Sequence, residues 1–207
     1  MSNKPNVLVV PVDTQGDFIF RSMRLPVPGA EEIIGAIIVY MANLDPAEVA
    51  AVVASFDTHD LQTFLGSAEN LGDPSNGVPG FDLHVEKGKV GWENIINLRI
   101  PHALGIPTYK IEKGVFDQWA EPHLVVERLY AEEPVRQRDA FYRKLMAQGV
   151  DTVRLFGFAA DYCVMWAIRG YLAFGFKVQV VARLTAGLQR DMLQTIADEF
   201  PGQVEVI

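Results

Sequence analysis

With a single cysteine, Cys163, the chain can form no intrachain disulfide, and nothing in it points to an oxidising compartment. A basic surplus is also missing: 18 Lys and Arg stand against 26 Asp and Glu, a formal net charge of -8. Neutralising phosphates needs the opposite balance, which argues against nucleic acid as a partner. Long apolar runs are absent too. The first, Val7 to Val12, is too short for the core of a secretion signal and far too short to span a membrane. The expectation is a cytoplasmic protein with no membrane partner. No internal repeat, low-complexity tract or linker divides the chain, so residues 1–207 read as one domain. At this length roughly 70% of the unfolded chain's surface can be buried.

What is present is an alternation of strand-like and helix-like segments. Val7 to Val12 is a continuous β-branched run, the pattern of a strand covered on both faces. Further strands are expected at Val49 to Phe56, Ile106 to Glu112, Val153 to Phe158, Lys177 to Ala182 and Val204 to Ile207. Helices are expected at Glu31 to Leu44, Pro134 to Gly149, Asp161 to Phe174 and Leu188 to Phe200. Such alternation predicts an α/β fold, doubly wound, with a mainly parallel six-stranded sheet and helices on both faces. Thr58 to Gly105 shows little periodicity, and a stretch that long is usually a functional loop or a disordered one.

Ligand sites in such sheets lie beyond the carboxyl ends of the strands. Asp13, Asp57, Lys113 and the segment carrying Cys163 each follow an expected strand. In Gly157-Phe158-Ala159-Ala160-Asp161-Tyr162-Cys163-Val164 the cysteine falls in the first turn of a helix. Unpaired N–H groups there favour a thiolate and can hold an oxyanion. A lone cysteine is more often a buried structural residue, so its neighbours decide the matter. A thiol nucleophile needs a base and a charge stabiliser. Asp13, in Val12-Asp13-Thr14-Gln15-Gly16-Asp17-Phe18, and Lys113, in Glu112-Lys113-Gly114, offer those types.

These three segments, in this order, are similar to the signature segments of the isochorismatase-like cysteine hydrolases, and the resemblance runs from Val7 to about Ala186. It implies that Cys163 is the nucleophile, that Asp13 takes its proton and that Lys113 steadies the charged intermediate. It also implies a cis peptide between Phe158 and Ala159, with the N–H groups of Ala159 and Cys163 as the oxyanion hole. Within the family the chain most resembles the nicotinamidases (pyrazinamidases). Ser55-Phe56-Asp57-Thr58-His59 and Phe81-Asp82-Leu83-His84-Val85-Glu86-Lys87-Gly88 resemble their metal segments. Asp57, His59 and His84 are the implied ligands of one divalent ion, zinc foremost with manganese or iron as alternatives. One carboxylate and two imidazoles leave positions open for water or substrate. His102 is the rival to His84 as third ligand.

The match is incomplete where those enzymes shape their ring pocket. Thr58 stands in place of an aromatic, Asp60-Leu61-Gln62-Thr63-Phe64 replaces a further histidine, and Val115 to Glu121 departs from the usual segment after Lys-Gly. Phe18 and Trp119 are the aromatic residues expected to stack on a flat substrate. The activity expected is conversion of nicotinamide to nicotinate and ammonia through a cysteine thioester. The alternatives are a related amidase acting on a ureido, carbamoyl or other small amide, and an inactive metal-binding relative. By analogy with the family the chain is expected to form a homo-oligomer.

Overall fold

The computed structural model describes residues 5–72, 75 and 79–207. The long stretch from Thr58 to Gly105 therefore falls outside the described residues at 73, 74 and 76–78. Among the described residues eight strands form one sheet: β1 (Val7–Val12), β2 (Val49–Asp57), β3 (Thr108–Lys113), β4 (Val125–Arg128), β5 (Arg136–Gln137), β6 (Thr152–Phe158), β7 (Lys177–Ala186) and β8 (Val204–Val206). Their order is β5-β4-β3-β2-β1-β6-β7-β8. The six expected strands are the parallel ones. β4 and β5 extend the β3 edge in antiparallel sense. Neither of these two strands announces itself: β4 is short and half-exposed, and β5 lies at the start of what the sequence reads as a helix. That helix begins only at Arg138, where Gln137 accepts from the Ala140 N–H and caps it.

Alternate residues of β1 go to opposite sides. Leu8, Val10 and Val12 join a core with Phe141, Tyr142, Ile168, Tyr171 and Ile196, from the helices α6 (Arg138–Ala147), α7 (Met165–Phe174) and α8 (Met192–Glu199). Val7 and Val9 join a second core with Ile37 and Met41 of α2 (Ala30–Ala42). Both faces are covered, as a doubly wound sheet requires. Among the described residues no helix is long and apolar enough to cross a membrane.

From β1 the chain steps outward to β2 and β3 on one side, and through β6, β7 and β8 on the other. The crevice of such a sheet opens where this direction reverses, at the carboxyl ends of β1 and β6. Close packing there depends on Gly157. It has φ +132, and a Cβ at this position would lie 2.1 Å from the Val12 carbonyl oxygen.

Candidate active site and metal cluster

Strand register assembles the site. Val12 sits beside Ser55 and Gly157, and Asp57 sits directly beside Lys113. Asp13, one residue past β1, has a positive φ of 48. Left-handed backbone is costly for a residue with a side chain and is tolerated where the surroundings over-determine it. Here the Asp13 N–H donates to the Ser55 carbonyl and hydroxyl oxygens, both at 3.2 Å, while the Ser55 hydroxyl donates back to Asp13 Oδ1 at 2.7 Å.

Lys113 Nζ occupies the centre. It lies 2.9 Å from Asp13 Oδ2, 3.2 Å from Asp57 Oδ1 and 3.5 Å from Cys163 Sγ. All four residues are buried. Burial works against the ammonium, yet Asp13, Asp57 and Cys163 hold the Lys113 pKa well above its ordinary value. Burial also raises the proton affinity of Asp13, against the pull of the Lys113 charge. A carboxylate in that condition is a stronger base than one in water.

Cys163 differs from the sequence expectation in two respects. It sits in a wide π-helical turn, Ala160–Val164, ahead of α7 rather than in the first turn of an α-helix. The Ala159 carbonyl accepts from the N–H groups of both Tyr162 and Val164 at 3.1 Å, which opens the turn. Single π turns are frequent at functional sites. Burial then pushes the thiol well up; Lys113 pulls it down, and Asp13 and Asp57 add to the rise. Desolvation thus works against the thiolate that a helix start would favour. The peptide between Phe158 and Ala159 is cis.

Four buried side chains meet on the other side of Asp57. One ligand atom from each of Asp57, His59, Glu69 and His84 lies within 4.8 Å of the others. His59 Nε2 is 3.2 Å from Asp57 Oδ2 and 3.5 Å from Glu69 Oε1. The corresponding distances for His84 Nε2 are 3.4 and 3.3 Å. Despite this crowding, Asp57 Oδ2, His59 Nε2 and both Glu69 carboxylate oxygens have no hydrogen bond of proper geometry. Buried polar atoms left this way are rare and call for an explanation. Two carboxylates and two imidazoles converging on one point are the donor set of a divalent cation. The second imidazole nitrogen of His84 lies 2.8 Å from the Asp82 carbonyl oxygen, a contact that leaves Nε2 directed at the cluster. Asp57 is held by Gln15, whose side-chain amide accepts from its N–H and donates to its carbonyl, both at 2.8 Å. The Val85 N–H, next to His84, donates to the buried Asp17 carboxylate at 2.6 Å.

Asp13, Lys113 and Cys163 are thus brought together, as are Asp57, His59 and His84. His102 is not; its ring contact is with Tyr130. Phe18 is buried with its ring centroid 5.5 Å from that of His84, at the border of this carboxylate–imidazole cluster. Trp119 is placed elsewhere, because Tyr142, Tyr171 and Phe174 surround its indole and Arg138 covers it. The extra apolar volume of that core outcompetes the site for it. The aromatic at the site is instead Phe81, whose ring contacts His84, Phe116 and Tyr162. Sequence reasoning missed Phe81, Ser55 and Glu69. Glu69 stands in the first turn of a short helix, α4 (Ala68–Leu71), with α1 (Gly16–Ile19) and α3 (Leu61–Phe64) before it and α5 (Arg99–Ala103) after it. An acid there reads as a solvated helix-start residue.

No protein-family profile matches the sequence, and no curated protein matches it. Solved structures do share the fold along its whole length. The pyrazinamidase of Pyrococcus horikoshii in complex with zinc is 19% identical, with a TM-score of 0.69, and the match covers 98% of this chain and 99% of that one. The yeast nicotinamidase bound to the inhibitor nicotinaldehyde is also 19% identical, with a TM-score of 0.70 and coverage of 97% and 99%. An isochorismatase-like hydrolase from Alkaliphilus metalliredigens is 20% identical, with a TM-score of 0.64 and coverage of 98% and 92%. The architecture is that of the isochorismatase-like hydrolases.

Proposed function

We propose that the chain is a metal-dependent cysteine amidohydrolase that converts nicotinamide, or a similar ring carboxamide, to the acid and ammonia. The observation that carries this reading is the shared Asp57. One of its oxygens meets the Lys113 ammonium beside the thiol, and the other meets the imidazoles of His59 and His84. A nucleophile and a metal cluster joined through one side chain suit a substrate that must be anchored at one end and attacked at the other.

In this mechanism Asp13 takes the proton of Cys163 and the sulfur attacks the carboxamide carbon. The N–H groups of Ala159 and Cys163 hold the oxyanion, a service worth roughly 3 kcal/mol per donor in other hydrolases. The C–N bond breaks, Asp13 returns the proton to the nitrogen, and ammonia leaves a thioester on Cys163. Asp13 then deprotonates water for attack on the thioester carbon, the acid departs and the thiol re-forms. The net reaction consumes one amide and one water. Lys113 keeps its charge throughout and stabilises thiolate and carboxylate in turn. Asp57, His59, Glu69 and His84 would hold a divalent ion, zinc first among the choices. When bound it supplies an electron-pair acceptor for a ring nitrogen and so orients the carboxamide. Phe18 and Phe81, both in ring contact with His84, would flank the flat ring.

The test is ammonia release from nicotinamide by the purified protein, as isolated, after chelation and after metal is restored. Release that chelation abolishes and metal restores is expected. Chelation-resistant hydrolysis of a ureido or carbamoyl compound, with nicotinamide untouched, would favour the alternative amidase.

A further inference from the structure

Cys163 is only 4% exposed, and Asp13 and Lys113 are no more open. Three rings stand close to these residues. Phe81, Phe116 and Tyr162 touch one another with centroids 5.4–5.8 Å apart. A cavity of about 660 Å³ has Phe116, Tyr162 and Glu69 among its walls, and Cys163, Asp13 and Lys113 are not among them. That volume lies within the range of complete ligand sites, roughly 300–1,000 Å³. Its walls thus lie beside the reactive trio without including it.

Its walls define what it accepts. Ala68, Val115, Phe116, Tyr162, Met165 and Trp166 give an apolar, aromatic lining. Apart from Glu69, which belongs to the carboxylate–imidazole cluster, the charged groups on the walls are already engaged. Arg169 and Arg190 both pair with Glu199, at 3.0 and 3.2 Å, and Arg190 also pairs with Asp198. The Asp161 carboxylate accepts from the N–H groups of Leu188, Gln189 and Arg190. That of Asp117 accepts from the Trp119 N–H. A charged ligand would have to break these pairs, whereas a neutral ring needs only to cover apolar surface.

We propose that this cavity is a second subsite, which takes an uncharged aromatic extension of the carboxamide, so that the preferred substrate is longer than a single ring. This rests on the amidohydrolase reading for the position of the carboxamide. The experiment separates the two. Binding of nicotinamide and of a phenyl-substituted nicotinamide is measured on metal-loaded Cys163→Ala protein, which needs no turnover. The two-ring amide binds at least tenfold more tightly. Trp166→Ala in the same background removes that advantage, and Trp166→Phe, which keeps an aromatic wall and guards against misfolding, retains most of it. Equal binding of the two amides would overturn the subsite, as would an advantage that survives in Trp166→Ala. Ammonia release by the unaltered protein is followed alongside with both amides. Its absence while the two-ring preference persists would sink the amidohydrolase reading and leave the subsite standing.

Discussion

Ser55→Ala offers a perturbation whose size follows from the geometry. The Ser55 hydroxyl donates to Asp13 Oδ1 at 2.7 Å, and both residues are buried. Alanine removes the oxygen, leaves almost no cavity and strips the carboxylate of one donor. A hydrogen bond to a charged group is worth ~1.5–3 kcal/mol, and water cannot replace it here. The sign is fixed by which form the bond favours. It stabilises the carboxylate, so its loss raises the proton affinity of Asp13 in the same direction as burial already does. The base then titrates at higher pH. At pH values below the acid limb, kcat/KM falls by roughly ten- to a hundredfold, the same free energy expressed as a ratio. Well above the limb the variant approaches the parent. The assay is a pH profile of kcat/KM at saturating metal for the parent, Ser55→Ala and Ser55→Thr, the last of which restores the hydroxyl. An acid limb that stays in place in Ser55→Ala would refute the reasoning. A Ser55→Thr profile indistinguishable from that of Ser55→Ala would refute it equally.

Three further outcomes are expected. Losing an outer-shell partner costs metal sites roughly 10–100-fold in affinity, so Glu69→Ala, which removes a donor itself, should cost at least that in a competition titration; an unchanged affinity would remove Glu69 from the cluster. In metal-free protein, burial opposes the imidazolium forms, but contacts with Asp57 and Glu69 outweigh it and push His59 up to about 9 and His84 up to about 10. Both folded values lie above the unfolded one, so their stabilising contribution is complete below about pH 6.5 and is lost as pH rises through about 9–10. Metal-free protein should melt lower at pH 10 than at pH 7, and metal binding at pH 7 should release about two protons in calorimetry across buffers; no release would contradict the assignment. Asp161→Ala strips an acceptor from three N–H groups, at 2.8, 2.8 and 3.0 Å. Thermal unfolding should show a loss of ~3 kcal/mol or more, roughly 6–12 °C at this chain length.

Much of this was legible in the residues themselves because the parallel strands are covered on both faces. Val7 to Val12 could hardly be read otherwise, and every reactive group just past such a strand was bound to reach the same rim. What stayed hidden depends on contacts between distant segments. Glu69 reaches the cluster only because its short helix folds back over the carboxyl end of β2, and no periodicity marks residues that do so. Trp119 and Phe81 were indistinguishable as aromatics in loops; the core around Tyr142 and Tyr171 claims the first, and the neighbourhood of His84 the second. β4 and β5 form one margin of the sheet, short and partly solvated, and lack the apolar run that gave the central strands away. The desolvation of the Cys163 thiol stayed hidden for a related reason. A helix start can be inferred from a sequence, whereas the burial that opposes it needs the packed structure.

The central claim is that the amide carbon becomes bonded to Cys163 before water releases it. Hydroxylamine added during nicotinamide turnover tests this most directly, since it competes with water for a thioester and diverts the acyl group to the hydroxamate. The account predicts hydroxamate in proportion to hydroxylamine, with ammonia released for every acyl group transferred, and none of either product from Cys163→Ala. Steady hydrolysis with no hydroxamate, or turnover that survives in Cys163→Ala, would mean that water attacks the amide directly and that the buried thiol is not the nucleophile.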